Sequence, residues 1–490
     1  MPIAIIKRGY RFMFRSDGSL QSKAIRGGLW MAASSVGIAV LTLARSVVLA
    51  RLLTPEIFGV MALCLMATRL IEIFTETGFG QALIHHQDQF EEARDTAFTL
   101  MVLRGVWLCV LSFVIAPWVA AFYNQPILSE TVGAVGLTFL LMGMQNINSV
   151  ALQKELDFRR LAYMEQVVAV LSFITTIGLA WWLRNVWALV YAQVVTAGIT
   201  SAMSFIMIPG RVRFRLNWKI ARQLFSYGRY ITGVAIVLFL TRELDNALIG
   251  KMLGPKLLGF YVAAFTLANI PATNLSKLVS RVMFPLFSKL QHDLPALRQE
   301  YARGLRLITS LVVPLSVAII VLSREIITVL YGERWEPAVM PLQILSVFGL
   351  CRALWMLNGY LYNAIGKPQI DFSTSLARLV LMGAALYPLT MQFGLPGAAL
   401  AVTVPMLLQA MGGIYLSRRF IQAPPSLALE PLLAACGQGV VLALVLLGGK
   451  LVVGHNPKIG LALLATLATA VYLGLNFRQM RTLLATSRAR

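Results

Sequence analysis

The sequence predicts an all-α polytopic membrane protein, with about 14 transmembrane helices arranged as two parallel six-helix bundles plus a C-terminal helix pair. Three observations carry this. Of 490 residues, 58% are hydrophobic and only 13% are charged, whereas a soluble domain carries about 25% charged residues. Apolar segments of about 20 residues recur along the chain, each long enough to cross a bilayer core as a helix. A ten-residue stretch between two such segments occurs twice.

The first copy is Ala50-Arg-Leu-Leu-Thr-Pro-Glu-Ile-Phe-Gly59, and the second is Gly250-Lys-Met-Leu-Gly-Pro-Lys-Leu-Leu-Gly259. Pro55 matches Pro255, Gly59 matches Gly259, Leu53 matches Leu253 and Arg51 matches Lys251. Proline cannot continue a helix and glycine permits a close turn, so each copy reads as an elbow between two spans. Fainter echoes follow. Tyr123-Asn-Gln-Pro126 corresponds to Tyr331-Gly-Glu-Arg-Trp335, and Ala188-Leu189 to Ala399-Leu400.

In chain order, a basic N-terminal segment occupies 1–26, with Lys7, Arg8, Arg11, Arg15, Lys23 and Arg26. No small-residue cleavage site follows a short apolar core, so no removable signal peptide is expected. The first bundle covers 27–209, with spans at 27–49, 57–77, 96–121, 128–150, 163–183 and 187–209. A basic linker covers 210–227, including Arg211, Arg213, Arg215, Lys219 and Arg222. The second bundle covers 228–419, with spans near 228–250, 259–287, 302–323, 338–362, 370–392 and 396–417. The terminal helix pair, 428–449 and 458–476, and a basic tail fill 420–490.

Charge tests this topology. With both termini cytoplasmic, roughly 27 Lys and Arg fall inside and about eight outside, the expected positive-inside bias. The outer set is Arg51, Arg184, Lys251, Lys256, Arg324, Arg334, Lys450 and Lys458. Shifting the count by one span would reverse the bias. The net charge of +22 is therefore an orientation signal, and no nucleic-acid partner is expected. Each half has an even number of spans, so the repeats are parallel, and transporters built this way keep their path between the halves. Segments 151–161 and 288–303 suit amphipathic helices lying on the inner surface, or ordinary solvated turns. Cys64, Cys109, Cys351 and Cys436 each lie alone in apolar segments and read as small hydrophobes.

Ionisable residues at membrane depth cost about 2.5–3.5 kcal/mol each at a helix centre, so they face a cavity or a partner. They are Arg45, Arg69, Glu72, Glu76, Arg104, Glu165, Arg242, Glu243, Asp245, Lys277, Arg281, Arg352 and Arg378. The excess is basic, which would attract an anionic headgroup. Ser34, Ser35, Thr42 and Arg45 share an arc of about 100° on the first span. Arg69, Glu72 and Glu76 share a face of the second. Arg69–Glu72 and Arg242–Asp245 are spaced to pair on their own helices. Arg45 has no acidic neighbour on its helix and is the leading functional candidate. Asp245 lies two hundred residues after Arg45, so the duplicated first helices place opposite charges at equivalent sites. Arg281 and Glu165 lie near inner ends and read as interfacial. Arg104, Arg352 and Arg378 either line the cavity or snorkel to headgroups.

Trp355, Tyr360 and Tyr362 could stack on sugar rings, although interface anchoring is the commoner use. His85-His86 lacks further ligands, so no metal site is expected. No phosphate-cradling glycine loop, nucleophile elbow or zinc signature occurs. No cofactor, nucleotide motor or enzymatic activity is expected.

The elbow with the following Thr75-Glu-Thr-Gly-Phe-Gly-Gln-Ala-Leu-Ile84, the later Leu152-Gln-Lys-Glu-Leu-Asp-Phe-Arg159, and Asp245 through Tyr261 together resemble a known family. It is the bacterial polysaccharide transport family, the Wzx-like flippases of the multidrug/oligosaccharidyl-lipid/polysaccharide exporter superfamily. The resemblance covers about 30–420 and says little about the sugar. It implies an inner-membrane flippase that moves an undecaprenyl-pyrophosphate-linked oligosaccharide to the periplasmic leaflet, for exopolysaccharide, capsule or O-antigen (lipopolysaccharide) synthesis. Two six-helix bundles would give alternating access through a cationic central cavity. A polysaccharide polymerase and co-polymerase would be partners, besides membrane lipids.

On that reading the diphosphate is held by charge-assisted hydrogen bonds from Arg45 with Arg69, Arg104, Arg242, Lys277, Arg352 and Arg378. Asp245 or Glu72 would couple transport to a proton or sodium gradient. Other readings of the frame are a flippase for the peptidoglycan lipid precursor and a multidrug antiporter, against which the basic excess argues. A polymerase or ligase would need a large outer loop, and the longest here is roughly 324–337. A non-transporting scaffold is the remaining class.

Overall fold

The computed structural model describes residues 20–73, 90–149, 158–210, 212–453, 460–472 and 474. Glu76, Thr75–Ile84, His85-His86, Lys458 and most of segment 151–161 lie outside the described residues. Regular structure among the described residues is wholly helical: α1 Leu20–Leu52, α2 Pro55–Ile73, α3 Phe90–Tyr123, α4 Ile127–Gly143, α5 Phe158–Leu183 and α6 Val186–Met207. There follow α7 Trp218–Lys289, α8 Leu294–Val321, α9 Val339–Ala364, α10 Pro368–Phe420, α11 Ser426–Val453 and α12 Gly460–Tyr472.

Both elbows form. In the first, α1 ends at Leu52 and Pro55 opens α2, the helical position where a missing N–H costs nothing. In the second, α7 breaks at Gly254 (φ 82°, ψ 172°) immediately before Pro255, a conformation reserved for glycine. The α10 helix breaks likewise at Gly394 (φ 60°, ψ −135°). The fainter echoes are turns of one kind. Tyr123 and Tyr331 are both buried, and each precedes a residue of positive φ, Asn124 and Gly332.

Nine helices among the described residues are long and apolar enough to cross a membrane, with Ile127–Gly143 and Gly460–Tyr472 shorter. The difference from the fourteen expected spans has physical causes. Long α7 and α10 each hold two helices, and α2 carries Glu56, Arg69 and Glu72 in 19 residues. Among the described residues the exposed side chains of α1 include Val36, Val40 and Leu43, whereas those of α2 are Glu56, Arg69, Leu70 and Glu72. This is a multi-pass membrane protein.

The chain forms two compact units, Met1–Glu243 and Leu244–Arg490. The division falls inside α7. In the first unit α1 packs on α5, α5 on α6, and α4 on α2, α3 and α6. The α3–α4 contact is backbone-close: a Cβ at Gly105 would lie 2.5 Å from Phe139 O, and one at Gly143 2.7 Å from Met101 O. In the second unit α9 packs on α8 and α10, and α11 on α8. The C-terminal pair docks through Leu442, Leu446 and Leu464 on Leu322, and Lys450 Nζ donates to Val321 O at 2.6 Å.

The linker is a fixed strap. Arg213 N donates to Asp95 Oδ1 at 3.3 Å, Arg215 N to Thr99 Oγ1 at 3.0 Å and Asn217 N to Thr96 Oγ1 at 3.3 Å. Asn217 Oδ1 then accepts from Lys219 N at 3.0 Å at the start of α7. Two other expectations change. Residues 294–303 are not a surface helix but the first turns of α8, capped by Asp293, whose side chain accepts from Ala296 N. Residues 324–337 are not an open loop. They form a helical turn, a π-turn and a 3-10 turn that bury Tyr331 and Trp335, rings 5.4 Å apart.

Candidate functional site

A cavity of about 270 Å³ opens in the first unit between α1, α5 and α6. Thr42 and Arg45 enter from α1, Glu165 and Ser172 from α5, and Thr196 and Thr200 from α6, over an apolar floor that includes Ile38, Val168 and Phe173. Close helix approach makes the room narrow. Gly37 lets α1 approach Gln166, whose Nε2 donates to Ser34 O at 2.6 Å.

Arg45 is half-buried. Its Nη1 donates to Ser172 Oγ at 3.4 Å, and Ser172 Oγ lies 2.9 Å from Thr196 Oγ1. Among the described residues this is the one hydrogen bond of a group with five N–H donors. A guanidinium with donors to spare, hydroxyls and apolar walls suit one oxyanion of phosphate type, bound by charge-assisted hydrogen bonds. Glu165 faces the same space, so the cavity holds one cation and one carboxylate.

Arg45 is the one predicted substrate-binding residue in this cavity. Of the arc with it, Thr42 also lines the space, while Ser34 is buried towards Ala162 and Gln166. Arg69 pairs with Glu243, not with Glu72 on its own helix. Arg104 Nη2 donates to Glu72 O at 3.3 Å, bracing α3 on α2, and the Glu72 side chain is exposed. Arg242 is exposed. Lys277 and Arg281 lie on α7, their side chains outside the described set.

In the second unit Arg352 Nη1 donates to Asn269 Oδ1 at 2.8 Å, tying α9 to α7. The same face of α9 carries Gly349, where a Cβ would stand 2.3 Å from Ala268 O. Arg378 Nη1 reaches Met406 Sδ at 3.6 Å within the broken α10. Asp245 is buried; its Oδ2 accepts from Tyr261 Oη at 2.7 Å and its Oδ1 from Asn246 N at 2.9 Å. It does not pair with Arg242 in any of these bonds.

The aromatics serve the core. Tyr362 is fully buried and donates to Gly413 O at 2.8 Å. Ser417 Oγ lies 3.1 Å from Tyr362 Oη and donates to Asn358 Oδ1 at 2.8 Å, which also accepts from Tyr301 Oη at 2.7 Å. Trp355 is buried beside Gly413. Neither Trp355 nor Tyr362 is presented to a sugar or to the interface. Residues that sequence reasoning missed are Glu165 as a cavity group, and Ser172, Thr196 and Thr200. The available signal was Ser172 about two turns after Glu165 on the same helix, with hydroxyls four apart on α6.

Helices in this order, broken at two matching elbows, define a polytopic membrane protein of duplicated design. The profile of the polysaccharide biosynthesis protein family matches residues 48–340, and the chain belongs to that family. Relatives include the teichuronic acid biosynthesis protein TuaB of Bacillus subtilis (strain 168), 26% identical over 377 residues, covering 75% of this chain and 77% of that one. The lipopolysaccharide biosynthesis protein WzxC of Escherichia coli (strain K12) is 26% identical over 396 residues, covering 80% and 79%. Among solved structures, the lipid II flippase MurJ in its inward closed conformation superposes with a TM-score of 0.76 at 14% identity, covering 93% of this chain and 99% of that one. That likeness bears on the fold.

Proposed function

We propose that this protein is a flippase that moves an undecaprenyl-pyrophosphate-linked oligosaccharide across the bacterial inner membrane by alternating access. Family membership and relatives named for polysaccharide synthesis support the reading. The observation that carries it is Arg45, a half-buried guanidinium with one hydroxyl partner in a cavity between three helices. A diphosphate offers several oxyanions to such a group, and the apolar part of the lining strengthens the attraction. The lipid tail stays in the bilayer while the polar head crosses. Arg69, Arg104, Arg242, Lys277, Arg352 and Arg378 contribute to the electrostatic field along the path. Gradient coupling is assigned to Asp245, held by Tyr261, with Glu72 as the other carboxylate. Both termini are cytoplasmic on the positive-inside bias, and the product is handed to a polysaccharide polymerase.

The test is a deletion strain probed with a membrane-impermeant glycan label, on spheroplasts and on inverted vesicles. Lipid-linked oligosaccharide reachable only from the cytoplasmic face is the expected result. Single units accumulating on the outer face would mean a block after flipping, and a polymerase or scaffold role would replace this one.

A further inference from the structure

A second polar cleft lies well outside the Arg45 cavity. It measures about 540 Å³ and is lined by Pro295, Arg298, Gln299, Ala302, Arg303 and Arg306 of α8 with Leu427 of α11. The three arginines fall at 298, 303 and 306, within an arc of about 140° on an ideal helix. One wall is therefore a row of guanidiniums, and the other is apolar.

The arginines are held to different degrees. Arg298 is half-buried, and its Nε donates to Ile421 O at 2.6 Å, which fixes the fork while leaving both Nη groups available. Arg303 is exposed and pairs with Glu300 one turn back. Arg306 is exposed, and no hydrogen bond or ion pair engages its side chain among the described residues. One carboxylate thus offsets three guanidiniums, and the cleft carries a net positive charge. Its position is the entry end of a membrane-crossing helix, beside the first turns of α11.

We infer that this cleft binds the phosphate headgroup of an anionic phospholipid from the leaflet that α8 enters. Basic pockets between transmembrane helices are suited to such headgroups, each Lys or Arg near the surface contributing about 1 kcal/mol. Leu427 and Pro295 give the glycerol and first acyl carbons an apolar edge. Bidentate Arg–phosphate geometry makes the forked side chain fitter than a point charge. Phosphate esters also occur on polyprenyl diphosphates, so the same chemistry has a second source. The cleft's place at the headgroup level of α8 favours the bulk phospholipid.

The experiment is native mass spectrometry of the full-length protein, released from mixed micelles with cardiolipin, phosphatidylglycerol or phosphatidylcholine. The wild type is expected to retain cardiolipin and phosphatidylglycerol over phosphatidylcholine. Arg306→Ala should weaken retention about fivefold, and the triple Arg298→Ala, Arg303→Ala, Arg306→Ala on the order of 100-fold. Arg306→Ala removes an exposed side chain, so it serves even if the triple variant misfolds, and a triple Arg→Lys variant should keep most of the binding. Lys251→Ala with Lys256→Ala at the elbow, two cations removed away from the cleft, is the control for net charge and should retain cardiolipin as the wild type does. Equal retention by the wild type and Arg306→Ala would overturn the inference, as would equal binding of phosphatidylcholine. Selective loss of added undecaprenyl pyrophosphate in the arginine variants, with phospholipid retention unchanged, would assign the cleft to the other source and also overturn it.

Discussion

Arg45 and Asp245 occupy the same place in two copies of one hairpin, ahead of two matching elbows, and meet opposite fates. Arg45 looks into a cavity and spends one donor on a serine hydroxyl. Asp245 is buried, and both its oxygens accept hydrogen bonds, one from Tyr261 across the elbow of its own hairpin. The duplicated frame fixed where an ionisable group sits, and divergence of its neighbours decided whether that group is available. A charge with spare donors can serve a ligand. A charge whose lone pairs are filled serves the fold until something displaces its partner.

Arg45→Ala breaks the comparison most sharply. It is expected to abolish polymer export while membrane levels of the protein stay normal, with Arg45→Lys keeping part of the activity. Export at wild-type level from the alanine variant, measured by surface polysaccharide, would remove Arg45 from the site. The next largest effect is on stability. Asn358 accepts from Tyr301 and Ser417 in the second unit, so Asn358→Leu strips the buried Tyr301 hydroxyl of its acceptor and leaves Ser417 with Tyr362 alone. Thermal unfolding in detergent should show a loss of about 3 kcal/mol.

A third test uses the turns that precede the sixth helix of each half. The first copy has Arg184 at φ 50° and the second has Gly394 at φ 60°. Gly394→Ala should destabilise by about 1–3 kcal/mol through backbone strain alone, since nothing lies within 4 Å of the added Cβ. Arg184→Gly should stabilise by up to about 1 kcal/mol. Changes of the same sign in the two variants would show that the turns are not equivalent. The smallest effect is that of Tyr261→Phe, about 1 kcal/mol. If Asp245 couples a gradient, this variant also shifts the pH dependence of export, whereas Asp245 as a purely structural group leaves that profile unmoved.

Much of this was legible in the sequence. Pro55 and Pro255 announced the elbows because proline ends a helix whatever surrounds it. Arg45 stood out because its helix offers no acidic partner at three or four residues. Tertiary pairing was hidden. Arg69 invited pairing with Glu72 on its own helix, yet it meets Glu243, 174 positions away. Glu165 was placed at the interface from its distance to a helix end. Depth along a helix says nothing of which face a residue occupies once α1 packs on α5. Tyr362 on an apolar span invites sugar stacking or interface anchoring, yet its hydroxyl is satisfied by Gly413 O inside the core.

The division between the two units lies within α7, at Glu243 and Leu244, and the linker before it is strapped to α3 by its own backbone. The consequence is that the chain crosses the boundary between units as hydrogen-bonded helix, and the next place where its backbone leaves the helix is Gly254, at the second elbow.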